Sequence, residues 1–156
     1  VEVDLDLEYP RFSRAFDFIL CGDILEHLRE PVDALQWLRG LVAPGGLAVL
    51  SLPNSGHAWV RLNVLLGRIP LEDRGPFDRT HLHFFTWAGW RQVLAEGGFR
   101  IESVESTATP FGSVLPGGET NLAARTLEGL SYALGRLWKT LFAYQFLVTA
   151  RPQENR

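Results

Sequence analysis

At 156 residues the chain has the length of one domain, long enough to bury a sizeable core. Hydrophobic residues at 46%, charged residues at 21% and a net charge of −3 are ordinary for a globular protein, and no basic run argues for a nucleic-acid surface. Cys21 is the only cysteine, which excludes an intramolecular disulfide and a cysteine-built zinc site. No apolar run approaches the ~20 residues of a membrane span, and VEVDLDLEYP has no signal-peptide pattern, so a cytoplasmic protein without an integral membrane segment is expected.

Val1 to Glu8 alternates apolar and acidic residues, the period of a strand, although so many acids suit only an edge or a strand end. Phe16 to Cys21 is an apolar run broken only by Asp17, as in a strand covered on both faces, and Gly22-Asp23 ends it. Pro31 fits the first position of a helix, and Val32, Leu35, Leu38 and Val42 follow at helical spacing. Pro44-Gly45-Gly46 is a turn signal, after which Leu47 to Leu52 reads as a second buried strand. Two parallel strands joined by such a helix form a right-handed crossover.

Ser55 is placed to cap a helix reaching Gly67, and positions 68–83 form a long charged loop. Thr86 is placed to cap a helix over 87–96, Gly97-Gly98 ends it, and 99–106 reads as a strand. After a loop rich in proline and glycine, Leu127, Leu130, Leu134, Leu137 and Leu141 mark an amphipathic helix, with core packing preferred over a membrane-surface role. Positions 142–150 close the pattern as a last strand, followed by a polar tail expected to fray. The order is that of an α/β fold in one domain, 1–156.

Four segments in order carry a family resemblance. They are Phe16-Asp17 opening the strand that leads to Cys21-Gly22-Asp23-Ile24-Leu25-Glu26-His27-Leu28; Pro44-Gly45-Gly46 before Ser51-Leu52-Pro53-Asn54; Asp78-Arg79-Thr80-His81-Leu82-His83-Phe84-Phe85-Thr86; and Glu96-Gly97-Gly98-Phe99. Together, over roughly residues 16 to 105, they resemble class I S-adenosylmethionine (SAM)-dependent methyltransferases of the small-molecule and glycan-modifying type. The resemblance implies a Rossmann-like sheet, here incomplete at about five strands, mostly parallel with an antiparallel last strand.

It also implies that SAM is the cofactor, with Cys21, Gly22, Asp23 and His27 on the cofactor face, and Asp6-Leu7 as the best match for the pair that holds adenine. Asp4-Leu5 is the other register, and acids fraying at an N-terminus is the competing reading. The family's glycine-rich turn after its first strand has no counterpart, nor does the acid that holds the ribose. The chain is therefore expected to be the C-terminal part of a longer or truncated enzyme, inactive on its own, with an exposed sheet edge that could drive self-association.

For chemistry, methyl transfer depends mainly on holding the nucleophile in line, helped by a base when that nucleophile is a hydroxyl. His81 is the candidate on the substrate side, set against a structural role in which it pins the loop with Asp78 and Arg79. Asp23, Glu26 and His27 could meet a divalent ion, but bracing of the helix by Glu26 and His27 is preferred and no metal is expected. The resulting expectation is methyl transfer to a small molecule or glycan. Its rivals are a non-catalytic remnant serving as an interaction module and a nicotinamide-dependent oxidoreductase, the latter disfavoured because no G-x-G-x-x-G fingerprint occurs.

Overall fold

The structure is a computed structural model and describes residues 3–113 and 115–153. Val1 and Glu2, the first positions of the expected N-terminal strand, and most of the expected fraying tail (154–156) lie outside the described residues. In chain order the main elements are β1 (Phe16–Gly22), α1 (Pro31–Leu41), β2 (Val42–Pro53), α2 (Ala58–Leu65) and α3 (Trp87–Glu96). Then come β3 (Phe99–Ser106), α4 (Leu122–Leu137), α5 (Lys139–Phe142) and β4 (Gln145–Pro152). Short 3-10 turns lie at Leu25–His27, Phe111–Ser113 and Gly118–Thr120.

Among the described residues the sheet has four strands in the order β1-β2-β4-β3, fewer than expected. β1 and β2 are parallel and joined through α1, while β4 enters between β2 and β3 antiparallel to both. The missing strand is the N-terminal one. Within its described part the chain turns instead: the Asp4 carbonyl accepts from the Leu7 and Glu8 amides, and the Asp4 carboxylate accepts from the Asp6 amide. Acidic side chains compete with a ladder in this way when no partner strand is at hand.

The core lies on one face of the sheet. Cys21 of β1, Leu50 and Leu52 of β2, and Phe146 and Val148 of β4 meet Leu35 and Leu38 of α1 and Trp90 and Leu94 of α3. Gly97 lets α1 and the end of α3 come this close, since a Cβ there would stand 2.5 Å from that of Leu35. Pro44-Gly45-Gly46 forms an irregularity within β2 rather than a turn before it. A Cβ on Gly46 would lie 2.9 to 3.0 Å from the carbonyl oxygens of Ala43, Asp17 and Phe16, so β1 passes there only against bare backbone. Side chains of β1 that point away from this core find little cover: Phe18 is 57% exposed and Leu20 68%.

Three local readings change. The cap of α2 is His57, whose Nδ1 accepts from the Trp59 amide at 3.1 Å, not Ser55. Thr86 holds the N-cap position of α3 but makes no side-chain cap bond. The long helix is capped by Asn121, which accepts from the Ala123 and Ala124 amides, but it breaks at Trp138 and buries only Ala124 and Gly135 of α4. Leu127, Leu130 and Leu137 are exposed, so the leucine stripe is not core. Among the described residues no helix is long and apolar enough to cross a membrane.

Candidate functional site

At the carboxyl end of β1 the backbone leaves the sheet sharply. Gly22 ends the strand with open space where a Cβ would lie, and Asp23 adopts φ +51°, a conformation uncommon for a residue with a side chain. The Asp23 carboxylate holds that position by accepting from Ser51 Oγ at 2.9 Å and from Gln145 Nε2 at 2.7 Å. One carboxylate thus ties the ends of β1 and β2 to the start of β4. Parallel strands open a crevice at this end, the usual place for a ligand in such sheets.

The crevice is a cavity of about 200 Å³. Asp23, Glu26, His27 and Pro53 line it together with Arg74, Asp78 and His81 from the long loop, Tyr144 just before β4 and Gln145 at its start. The loop is fixed by its backbone as much as by its side chains. The amides of Leu82 and His83 both donate to the Glu26 carbonyl, at 2.9 and 3.2 Å. Asp78 accepts from the Thr80 amide at 2.8 Å and from the Thr80 hydroxyl at 2.6 Å, and these bonds hold its carboxyl below the usual range.

The histidines divide by role. His83 Nε2 faces the Leu28 carbonyl at 2.9 Å, with its ring stacked on Phe85, which makes it a brace. His81 turns toward the cavity, edge-on to His27 at 4.7 Å between ring centres. Burial, and then the charge of His27, lower its pKa. Glu26 is 1% exposed, and burial pushes its carboxyl up to about 7. Burial likewise pushes the Cys21 thiol up to about 12, which removes it as a nucleophile.

Of the residues singled out from sequence, Asp23, His27 and His81 meet in this cavity. Cys21 is buried in the core beneath it, and Gly22 lies between. Asp6 and Leu7 lie outside its lining: Asp6 accepts from the Arg29 amide at 2.9 Å, and Leu7 is 82% exposed. Arg74, Tyr144 and Gln145 were not foreseen. Nothing in the local pattern marks the latter two, because only the insertion of β4 beside β2 brings them here.

A family model for a methyltransferase domain matches residues 4–104, nearly two thirds of the chain. The chain belongs to the methyltransferase family. Its fold is that of the Rossmann-like class I enzymes, and SAM is the cofactor that goes with the family. None of the curated proteins matches it at a significant level.

Among solved structures, the chain is similar to the [4+2]-cyclase SpnF, with 20% identity and a TM-score of 0.56, covering 98% of this chain and 56% of the cyclase. It is also similar to magnesium protoporphyrin IX methyltransferase from Synechocystis PCC 6803 with bound SAH (16% identity, TM-score 0.51, 92% of this chain and 48% of that one). A SAM-dependent methyltransferase from Mesorhizobium loti gives 20% identity and a TM-score of 0.52 over 96% of this chain and 67% of that one. The chain therefore spans about half the length of the first two. At such identities the likeness establishes the fold, and the cyclase shows that this fold hosts more than one reaction.

Proposed function

We propose that the chain is the C-terminal part of a SAM-dependent methyltransferase that acts on a small molecule or glycan, and that the cavity at the end of β1 is where acceptor and cofactor meet. The observation that carries this reading is the convergence of Asp23, His27 and His81 at the carboxyl end of the parallel pair in a chain of the methyltransferase family. The open space over Gly22 and the carboxylate of Asp23 fit one end of the cofactor, with the backbone from Cys21 to Asp23 and the His27 ring beside it. Bound SAM supplies an activated methyl group on a sulfonium.

The chain's own residues do the rest. His81, kept neutral by burial, is available to take the proton of an acceptor hydroxyl, and the loop it rides on is pinned to Glu26 so that its position is set before the acceptor arrives. Asp6-Leu7 is the weaker part of the assignment, because the Asp6 carboxylate is engaged by Arg29. With no glycine-rich turn to hold the cofactor's other end, isothermal titration of SAM into this chain should show weak binding or none. Saturable micromolar binding would refute the claim that a further segment is needed.

A second reading is a non-catalytic interaction module. It is favoured by Phe18 and Leu20, which stand exposed on an edge strand whose outer side has no partner among the described residues. Light scattering across a concentration series should then show a dimer or larger species, and a monomer at every concentration counts against it.

A further inference from the structure

The Glu26 carboxyl keeps one oxygen unsatisfied in the cavity wall. Its Oε2 is buried with no hydrogen-bond partner among the described residues. Its Oε1 stands 4.0 Å from Nε2 of His27 and 4.0 Å from Nε2 of His81, beyond hydrogen-bond distance from either. Buried carboxyl oxygens are normally paired, so an orphan of this kind points to something that the protein alone does not supply.

The orientation of His27 sharpens the point. Its Nδ1 faces the Thr80 carbonyl at 3.1 Å, and a carbonyl can only accept, so Nδ1 carries the proton. The Thr80 hydroxyl gives its own proton to Asp78 and thus also presents a lone pair to Nδ1, at 3.2 Å. A neutral His27 therefore turns the bare lone pair of Nε2 toward Glu26. Lone pairs facing one another across this gap repel unless a cation or a proton lies between them. His81 adds a third donor, its side chain 8% exposed, and the ligand atoms of Glu26, His27 and His81 all lie within 4.8 Å of one another.

We propose that Glu26, His27 and His81 form a binding site for one divalent transition-metal ion of the zinc type. Two imidazoles and a carboxylate suit Zn²⁺ and its neighbours, whereas Mg²⁺ and Ca²⁺ favour all-oxygen sets. Bonds of about 2.0–2.2 Å place donor atoms roughly 3.3 Å apart around a tetrahedral ion, so small side-chain rotations close the site. The Thr80 carbonyl behind His27 is the outer partner that a metal-binding imidazole needs to fix its tautomer. Three protein ligands leave a position open, and here it faces the cavity, free for water or for an oxygen of a bound small molecule. The set differs from the one that sequence spacing suggested, because Asp23 is held by Ser51 and Gln145 and His81 takes its place. The site does not depend on the methyl-transfer reading, and with an ion bound His81 serves as a ligand and no longer as a proton acceptor.

The test is titration of ZnCl₂ into the chelator-stripped chain by calorimetry, repeated with Co²⁺ to follow the visible bands of a low-symmetry site. One equivalent should bind saturably. Loss of an outer partner alone weakens a metal site by about 10–100-fold, so Glu26→Gln and His81→Ala should each weaken Zn²⁺ by about 100-fold or more. His57→Ala, which removes an imidazole at the cap of α2 outside the cavity, should leave the affinity unchanged. Circular dichroism checks that each variant folds; Glu26→Gln keeps the shape and removes a buried charge, so at least this variant reports. Absence of saturable binding, or an affinity equal to wild type in both site variants, overturns the proposal.

Discussion

Replacing Trp90 by alanine should destabilise the chain by about 3–5 kcal/mol, the cost of emptying a large buried aromatic site. Trp90 is fully buried in α3, and its ring meets Phe85 edge-on at 4.8 Å. Its Nε1 also donates to the Pro53 carbonyl at 2.8 Å, at the end of β2 beside the cavity. Domains of this size hold only about 5–15 kcal/mol in total, so the loss should shift the urea midpoint strongly at unchanged slope and lower the melting temperature by about 10 °C or more. Trp90→Phe separates the two contributions. It keeps a ring but strands the Pro53 carbonyl, and about 1–3 kcal/mol is expected. A midpoint within error of wild type for Trp90→Ala would show that α3 does not anchor the sheet.

Asn54→Ala should cost about 2–4 kcal/mol, although it removes only a small polar side chain. Asn54 is fully buried just after β2. Its Nδ2 donates to the Ala143 carbonyl at 2.8 Å, and its Oδ1 accepts from the Gly56 amide at 2.9 Å. Alanine leaves both backbone groups buried without the side-chain partners that pair them. Asn54→Asp keeps the acceptor but loses the donor, and should be nearly as damaging. Hydrogen exchange distinguishes this from simple core loss: protection should fall first at Gly56 and around Ala143, where α5 turns into β4. Uniform loss of protection would contradict this local role.

The β1-α1-β2 unit was legible because each signal in it agreed with the others: apolar run, Pro31 at the helix start, apolar spacing, apolar run. The N-terminal strand was not, because alternation alone cannot hold a strand that lacks a neighbour, and Asp4 offers the backbone a turn instead. The break at Trp138 was hidden by leucines that keep helical spacing across it. At the site, Asp23, His27 and His81 could be found in sequence, while Tyr144 and Gln145 could not. Sequence spacing offers Asp23 as the third neighbour of Glu26 and His27; His81 lies far along the chain, and only the loop's return to the Glu26 carbonyl brings it beside them.

The position of β4 has a bearing on how the chain can fold as it is made. β4 sits between β2 and β3 yet follows both in sequence, and β3 has no other strand partner among the described residues. A ribosome adding about 5–20 residues per second releases β3 well before the strand that must flank it. Until then β3 can lean only on helices, α3 before it and α4 after it, with its hydrogen-bonding edges open. The sheet therefore closes late and in one step, when β4 slides into a gap already shaped by its neighbours.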